Sequence, residues 1–296
     1  MGFSLRVIAP NSRDTTFNLT ATSAKTGSKL TWANNGCMNT ATNVQSWLCD
    51  MDGVLIHGGH VIDGADLFLD RLRTKGRPFL VLTNNSLFSP SELSQQLSRM
   101  GLDVAADQLW TSALATAQFV HSQRPHGSAF VIGEASMHEA LRNVGYHEDR
   151  HSPDYVVLGE TQRYAFDDFA TAIGLIERGS RFVATNPEPT GPGPTGSLPG
   201  CGAMAKLIES ATGVHPYFVG KPNPVMIREG INILGGHSTT TAIVGDRLET
   251  DIRAGVEAGL QTILALSGVS QLDDINRFPY RPSRIVNSVA DLLDDI

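Results

Sequence analysis

The stretch DMDGVL at residues 50–55 follows directly on the apolar run WLC at residues 47–49 and carries two acids two positions apart. The apolar run has the composition of a buried strand, and alternate side chains along a strand point the same way. If the strand ends at Asp50, then Asp50 and Asp52 both lie at a carboxyl edge, where open α/β sheets bind their ligands. Gly53 lets the chain turn away at once. The stretch therefore predicts a sheet strand with a ligand site at its end.

Two carboxylates this close repel each other unless a cation or a shared proton relieves the repulsion. Mg²⁺ is the simplest such cation, because it prefers oxygen ligands. A calcium-binding loop is excluded, since further oxygen ligands should follow at alternate positions and Val54 and Leu55 stand there instead. For this pair of acids considered by itself, a solvated acidic turn stays open.

The composition is that of an acidic globular protein. Its 296 residues predict about two domains, and a hydrophobic content of 41% is enough for a buried core. A net charge of −7 argues against nucleic acid as the main partner, because a phosphate backbone requires a basic surface. The three cysteines form no C-x-x-C pair, which suits a reducing, cytoplasmic location. Because no apolar run approaches the roughly 18 residues of a membrane span, we expect a soluble protein.

Residues 1–43 differ from the rest of the chain. They are rich in Ser, Thr and Asn and contain a single acid, Asp14, so we predict a poorly ordered N-terminal extension. The composition resembles that of a transit peptide, although a clear amphipathic helix is missing. Because Met38 lies just before the first strand, we favour the interpretation that residues 1–37 are a leader or an over-long reading frame.

From Val44 onward, short apolar strands alternate with helical patterns, which predicts an α/β protein with a mostly parallel sheet. We expect residues 44–126 and 214–296 to form the catalytic core. Residues 127–213, the insert, contain strands and helices enough for a small α/β layer of their own, which we predict to be a cap domain.

Three local predictions concern less regular segments. We expect one helix over residues 106–121, a strand of the core at residues 217–219, and a long Pro/Gly-rich loop at residues 186–196. The loop contains a G-x-G-x-x-G match, but Pro192 and Pro194 lack the N–H donors that a nucleotide-binding loop needs. We therefore reject nucleotide binding by that loop, and we expect residues 186–198 to face the leaving group of a substrate.

Four predicted core strands end in polar clusters. They are DMDGVL at 50–55, TNNS at 83–86, GKPNP at 220–224 and VGDRLETDI at 244–252. With an α/β insert between the second and the third, this pattern resembles the haloacid dehalogenase (HAD) superfamily phosphatases of the NagD-like, class IIA type. The resemblance covers residues 44–296, and ATNP at 184–187 followed by an acid is also typical of the group. It implies a Rossmann-like HAD core with a mostly parallel sheet and an inserted α/β cap of the C2 type.

The chemistry of these residues agrees with the resemblance. Asp50 is ionised at neutral pH and can attack phosphorus without a separate base, which gives an aspartyl-phosphate. Asp52 is suited to protonate the leaving alkoxide and later to accept a proton from water, a role that requires a raised pKa. Lys221 and Mg²⁺ would oppose the phosphoryl charge, while Thr83 and Asn84 would hold the phosphoryl group by neutral hydrogen bonds.

The predicted metal site uses three of the acids. Asp246 is expected to complete the shell of the Mg²⁺ with Asp50 and the main-chain carbonyl of Asp52, leaving waters and a phosphate oxygen as the other ligands. Asp251, five residues further on, is expected to orient those waters. Each of these residues by itself has an ordinary structural explanation, such as a helix cap for Asp246. Those explanations are implausible for all of them together.

The sequence therefore predicts a Mg²⁺-dependent phosphomonoesterase that acts on a small phosphorylated metabolite, as a monomer or a homodimer. The resemblance offers nucleotide monophosphates, sugar phosphates, glycerol phosphate, phosphoglycolate and pyridoxal phosphate as substrates, and the residues do not choose among them. A phosphotransferase or phosphomutase of the same superfamily shares the first step and remains an alternative. A non-catalytic phosphate sensor is a less favoured one.

Overall fold

A computed structural model describes residues 44–193 and 196–296, and the predicted extension at residues 1–43 lies outside them. The strands of the described residues are β1 (Ser46–Asp50), β2 (Ile56–His57), β3 (His60–Val61), β4 (Phe79–Thr83), β5 (Leu109–Thr111), β6 (Ser128–Ile132), β7 (His147–Glu148), β8 (Tyr155–Leu158), β9 (Arg181–Ala184), β10 (Thr190–Gly193), β11 (Gly196–Pro199), β12 (Tyr217–Phe218), β13 (Thr241–Gly245), β14 (Gln261–Ala265) and β15 (Arg284–Val286). The α-helices are α1 (Ala65–Thr74), α2 (Pro90–Met100), α3 (Ser112–Gln123), α4 (Ala135–Asn143), α5 (Phe166–Glu177), α6 (Cys201–Thr212), α7 (Pro224–Ile233) and α8 (Arg253–Ala258).

Shorter helical segments complete the described residues. They comprise a π-helical turn at Leu248–Ile252, which runs into α8, and 3₁₀ helices at Ala106–Gln108, Ser238–Thr240, Leu272–Arg277 and Val289–Asp295. None of the helices in the described part of the chain combines the length and the apolar character needed to cross a membrane.

The first sheet contains six parallel strands in the order β15-β14-β13-β1-β4-β5. The chain leaves β1 toward β4 on one side and later returns to β13 on the other side, so the strand order reverses between β1 and β13. Ligands of α/β sheets bind beside the carboxyl ends of strands at such a reversal. Asp50 ends β1 and Asp246 follows β13, which places both acids at this position.

Both faces of the first sheet are covered, which explains why its strands are continuously apolar. Trp47 and Cys49 of β1 point into the hydrophobic cluster that includes the apolar side chains of α1 and α2. Leu48 points to the opposite face, where it shares a cluster with Met226 and Ile227 of α7. This alternation fixes β1 between two layers of helices and holds its last residue, Asp50, at the edge.

The insert and the strand at residues 217–218 form a second sheet of five parallel strands in the order β12-β9-β8-β6-β7. Helices α5 and α6 cover one of its faces around a cluster that contains Val156, Phe169 and Ala205. Strand β12 pairs with β9, so the assignment of residues 217–219 to the core sheet was wrong. The division of the chain into core and insert stays a prediction, and this pairing favours a boundary after Phe218.

Two other local predictions were wrong. Residues 106–121 form a 3₁₀ turn, strand β5 and most of α3 instead of one helix, because Leu109 and Thr111 are buried where β5 pairs with β4. The Pro/Gly-rich segment at residues 186–196 was predicted to be a loop. It contributes all of β10 and the first residue of β11, which pair as an antiparallel hairpin.

Candidate active site

The carboxyl edge of the first sheet collects the side chains that the sequence singles out. Asp50 is the last residue of β1, Thr83 is the last residue of β4, and Asp246 directly follows β13. Lys221 comes from the turn between β12 and α7. All four side chains are buried, although Asp50, Asp246 and Lys221 are charged residue types. Buried charges require partners of opposite charge or hydrogen-bond partners. The contacts of Lys221 identify the partners in this site.

Lys221 lies between two carboxylates. Its Nζ donates a hydrogen bond to Asp50 Oδ1 over 2.6 Å and lies 2.7 Å from Asp251 Oδ1. Burial by itself would lower the pKa of Lys221, but the charges of Asp251 and Asp50 outweigh that effect and raise the pKa. The lysine is therefore a permanent positive charge beside the residue predicted to attack phosphorus.

Asp50, Asp246 and Asp251 form a buried acidic triad, with carboxylate oxygens within 4.8 Å of one another. Three carboxylates and one ammonium group leave two negative charges uncompensated. One divalent cation would balance them. Burial raises the pKa of Asp50 well above its usual range and the Asp251 charge raises it further, while Lys221 opposes both. Burial and Asp251 likewise raise the pKa of Asp246 to about 6. Without a metal, this cluster attracts protons.

Asp246 provides the most direct sign of a metal. Its Oδ2 accepts a hydrogen bond from the Val269 N–H over 2.7 Å, whereas its buried Oδ1 has no hydrogen-bond partner among the residues that the structure describes. A buried carboxylate oxygen without a partner is costly unless a cation neutralises it. A Cβ at Gly53 or Gly268 would collide with this carboxylate, so both glycines are needed for its position. The residues present fit a hard cation such as Mg²⁺.

Asp251 lies closer to the centre of the site than the sequence predicts. We expected it to orient waters, but it is fully buried, pairs with Lys221 and belongs to the triad. Its Oδ2 accepts hydrogen bonds from the Arg247 N–H and the Thr250 hydroxyl, both over 3.2 Å. These contacts fix the carboxylate so that Oδ1 faces the lysine.

Asp52 lies on the solvent side of the site. Its side chain is exposed, in contrast to Asp50, which comes two residues earlier. The protein around the carboxyl nevertheless desolvates it enough to raise its pKa, and the positive charges of Lys221 and Arg247 oppose this rise. An accessible carboxyl with a raised pKa is what proton transfer to a leaving group requires.

The side chain of Asn84 has a different use from the predicted contact with the phosphoryl group. Its Oδ1 accepts the Lys221 N–H over 2.8 Å, and its Nδ2 donates to the Lys221 carbonyl over 2.9 Å and to Glu188 Oε1 over 2.7 Å. Both N–H groups and the oxygen of the amide are thus occupied within the protein. Thr83, whose hydroxyl accepts the Asn85 N–H over 3.1 Å, keeps a donor hydrogen for a ligand.

The sequence patterns assigned no role to three polar residues of the insert, Glu160, Asn186 and Glu188, of which Glu188 binds the Asn84 side chain. Asn186 is 1% exposed, and its Nδ2 donates to Glu160 Oε1 over 3.1 Å and to Glu188 Oε2 over 2.9 Å. The signal was present in the sequence. Glu160 follows β8 and Asn186 follows β9, so the carboxyl-edge argument that found the core residues applies equally to the second sheet.

Comparison with known proteins agrees with this geometry. Residues 47–147 match the model of the haloacid dehalogenase-like hydrolases, and residues 218–292 match a second, HAD-hydrolase-like model. The chain is 50% identical over 249 residues to the dihydroxyacetone phosphatase of Corynebacterium glutamicum (strain R), which covers 84% of this chain and 90% of that relative. The chain belongs to the haloacid dehalogenase-like hydrolase family.

Other relatives show which subgroup of the family this HAD protein belongs to. It is 42% identical over 249 residues to the ribonucleotide monophosphatase NagD of Escherichia coli K12, covering 84% of this chain and 98% of NagD. The NagD structure superposes with a TM-score of 0.81 over 86% of this chain and 99% of that one. A 4-nitrophenylphosphatase of Thermotoga maritima, 29% identical, gives a TM-score of 0.82 over 86% of this chain and 98% of that one. The NagD-like, class IIA resemblance and the HAD fold are confirmed, and this HAD protein is a phosphatase.

Proposed function

We propose that this HAD phosphatase hydrolyses a small phosphate monoester through an aspartyl-phosphate on Asp50. The buried cluster carries the proposal, because it sets a permanently charged lysine against a carboxylate at the reversal point of the sheet. Asp50, Asp246 and the main-chain carbonyl of Asp52 would hold a Mg²⁺ ion, with Asp251 completing the acidic group. When bound, the cation would neutralise charge on the phosphoryl oxygens.

In the first step, a carboxylate oxygen of Asp50 attacks phosphorus and the bond from phosphorus to the leaving oxygen breaks. Asp52 donates its proton to that oxygen, so the leaving group departs as an alcohol. Lys221 is held against Asp50 and opposes the charge on the phosphoryl group. The Thr83 hydroxyl and the main-chain N–H of Asn84 would orient its oxygens, since the Asn84 side chain is occupied.

In the second step, Asp52 is a carboxylate and accepts a proton from water as that water attacks phosphorus. The acyl-phosphate bond to Asp50 breaks, inorganic phosphate leaves, and Asp52 is again protonated. A phosphotransferase or phosphomutase would differ only in the acceptor, with a hydroxyl group in place of water. Access of water between the two steps decides between these functions.

An uncharged leaving group suits the insert side of the site best. Glu188 binds Asn84 directly, and the pKa of Glu160 is raised by burial and by the negative charges of Glu188 and Asp52. Two like charges about 4 Å apart repel by about 4 kcal/mol at an effective dielectric constant near 20. A carboxylate or a second phosphate on the leaving group is therefore disfavoured, whereas hydroxyl groups can donate to these carboxylates.

This charge distribution selects among the predicted substrate classes. It disfavours phosphoglycolate and favours esters of neutral alcohols. Dihydroxyacetone phosphate is the first candidate, because the 50% identical relative is named a dihydroxyacetone phosphatase. Ribonucleotide monophosphates, named for the 42% identical relative, also have an uncharged leaving group and are the second candidate.

Phosphate release from a panel of esters tests the proposal. Dihydroxyacetone phosphate, glycerol phosphate, phosphoglycolate and nucleotide monophosphates would be compared with Mg²⁺ and with EDTA, and Asp50→Asn would serve as the inactive control. We expect kcat/KM for dihydroxyacetone phosphate to exceed that for phosphoglycolate by about tenfold or more. Alcohol release without equal phosphate release would favour a phosphotransferase. No alcohol release from any ester with Mg²⁺ present would exclude both.

A further inference from the structure

The main chain of the catalytic lysine is held by one side chain from a distant part of the sequence. The amide of Asn84 accepts the Lys221 N–H and donates to the Lys221 carbonyl, so both polar groups of that residue's main chain are fixed by it. A Cβ at Gly220 would collide with Asn84 Oδ1 and the Thr185 carbonyl, so glycine is required for this approach. The position of Lys221 Nζ depends on this clamp.

Glu188 supports the orientation of the Asn84 amide that binds Lys221. If the amide turned over, its oxygen would face two acceptors, the Glu188 carboxylate and the Lys221 carbonyl, and its nitrogen would face the Lys221 N–H. Each of these contacts would then place donor against donor or acceptor against acceptor. The hydrogen bond of 2.7 Å from Asn84 Nδ2 to Glu188 Oε1 therefore favours the orientation that binds Lys221.

Glu188 is itself held from the insert. Its second oxygen accepts from Asn186 Nδ2, whose other hydrogen goes to Glu160, and Asn186 Oδ1 accepts the Thr185 hydroxyl over 2.6 Å. Asn186 thus uses its whole amide within the insert. The bonds run without a break from the end of β8, through Asn186 and Glu188, to Asn84 and Lys221.

We propose that Glu188 is a positioning residue for phosphoryl transfer, which acts on Lys221 through the amide of Asn84. This inference rests on the proposed function. Glu188 touches neither Asp50 nor the ammonium group in the described contacts, and it acts by keeping the Lys221 main chain in place. Small displacements of a group that opposes charge in the transition state have large effects on rate. In this arrangement, a residue of the insert controls a catalytic group of the core.

A double-mutant cycle tests the route through Asn84. The variants are Glu188→Ala, Asn84→Ala and the two combined, assayed with nitrophenyl phosphate and saturating Mg²⁺. Glu134→Ala is the matched control, because Glu134 also accepts two side-chain hydrogen bonds, but from Thr161 and Arg163 within the insert. We expect Glu188→Ala to lower kcat by about tenfold with a smaller change in KM, and the double variant to be no slower than Asn84→Ala.

The proposal would be overturned if the fold-losses in kcat of the two single variants multiplied in the double variant. It would also be overturned if Glu188→Ala and Glu134→Ala lowered kcat equally. If Glu188→Ala does not fold, Glu188→Gln provides the same cycle, because it keeps the size of the side chain and loses the charge and one acceptor. Glu188→Asp, which keeps both acceptor oxygens, should recover part of kcat.

A second measurement does not depend on turnover. Hydrogen exchange of the Lys221 main-chain N–H, followed in the metal-free protein, should become about tenfold faster or more in Glu188→Ala and stay unchanged in Glu134→Ala. Unchanged exchange at Lys221 in Glu188→Ala would contradict the positioning role. An inactive wild-type protein would instead contradict the proposed phosphatase reaction, so the two failures are distinguishable.

Discussion

Asp50 and Asp52 are two residues apart and differ in almost every physical respect. Asp50 is buried and bonded to Lys221, whereas Asp52 is exposed at the mouth of the site. A nucleophile benefits from a fixed position and a nearby positive charge, and a proton donor benefits from access to the leaving group. The sheet supplies this difference, because the strand ends at Asp50 and the chain has already turned at Asp52.

Substitution of the two acids should separate their roles. Asp50→Asn should abolish turnover of every ester, because no other group in the proposal attacks phosphorus. Asp52→Asn should lower turnover of alkyl phosphates by about 10²–10⁴-fold, the usual contribution of general acid catalysis. With nitrophenyl phosphate the loss in the first step should be much smaller, since nitrophenolate departs without a proton. Rapid-quench detection of the phosphoenzyme is the measurement, and its normal formation in Asp50→Asn would refute the assignment.

The raised pKa of Asp246 predicts how the stability of the protein depends on pH and on bound metal. In the metal-free protein its pKa is raised from 3.8 to about 6 by burial and by Asp251. A carboxyl with a raised pKa stabilises the folded state fully below its unfolded pKa and loses that contribution as the pH rises through its folded pKa. Mg²⁺ takes the place of the proton, so the increase in Tm on adding Mg²⁺ should be larger near pH 7.5 than near pH 5.

Scanning calorimetry with and without Mg²⁺ at the two pH values measures this difference. Asp246→Asn is the control, because it keeps the shape of the side chain and removes the titrating group. The variant should lose most of the metal-dependent increase in Tm at the higher pH. An equal increase in wild-type protein at both pH values would rule out proton displacement from this cluster.

At the residue scale, the sequence predicts the charged members of the site better than its amides. Asp50 ends a strand, and Asp246 and Lys221 each follow one, so the ends of these strands locate them. The use of Asn84 depends on Lys221, which is 137 positions away, and on Glu188, which is 104 positions away. No local pattern encodes these partners. TNNS therefore indicates a polar turn and leaves open which side chains of the turn face a ligand.

At the element scale, the loops around Asp246 are as constrained as the strands. Gly53 follows β1 with a φ of 81°, which favours glycine. Gly268 follows β14, and its close approach to the Asp246 carboxylate leaves no room for a methyl group. Two loops from different strands thus enclose one carboxylate, and the Val269 N–H in the second loop binds it.

Gly268→Ala should weaken metal binding. The added methyl group must displace the Asp246 carboxylate or its own loop, and overpacking of this kind costs about 1–3 kcal/mol. Calorimetric titration of the metal-free variant should show a Mg²⁺ Kd at least about tenfold higher than that of the wild type. Gly191→Ala is the control, since a methyl group there meets no atom within 4 Å. An unchanged Kd in Gly268→Ala would argue against Asp246 as a ligand.

Elements with a strong apolar pattern were predicted well, and short elements were not. The strand predicted from the apolar run at residues 47–49 is β1, and it ends at Asp50 as expected. Strand β5 has three residues and β12 has two, which is too short for alternation to be visible in the sequence. Hairpin β10–β11 consists of Gly, Pro, Ser and Thr together with Leu198, a composition that favours turns. These elements are specified by pairing with neighbouring strands, which the sequence pattern does not reveal.

At the scale of the whole molecule, Ser86 links the core to several segments of the insert. Its hydroxyl accepts the Glu160 N–H over 2.9 Å and lies 3.3 Å from the Thr185 hydroxyl. Its carbonyl accepts the Ser136 hydroxyl over 2.6 Å. Ser86 is the last residue of TNNS, the cluster that begins with Thr83 at the active site. The same short segment therefore serves the proposed phosphoryl site and the attachment of the insert.

Exchange of the insert tests the proposed division of labour. Residues 128–218 would be replaced by the equivalent segment of a relative with different substrates, with an acid kept at the position of Glu188. If Glu160 and Glu188 of the insert lie beside the leaving group as proposed, kcat/KM ratios across a panel of esters should change by about tenfold or more. The Mg²⁺ requirement and the phosphoenzyme should persist, since Asp50, Asp246 and Lys221 come from the core.

The boundary of the exchange is part of the same prediction. An exchange that stops at residue 213 would keep β12 but replace β9, its partner in the second sheet, so β12 would pair with a strand from another protein just before Lys221. Such a chimera should melt at a lower temperature than the one that ends at residue 218, and its kcat should fall because the Gly220–Lys221 turn starts from β12. Equal stability and kcat in the two chimeras would show that the pairing of β12 with its own β9 contributes to neither property. An unchanged substrate ranking in the 128–218 chimera would show that the core selects the leaving group.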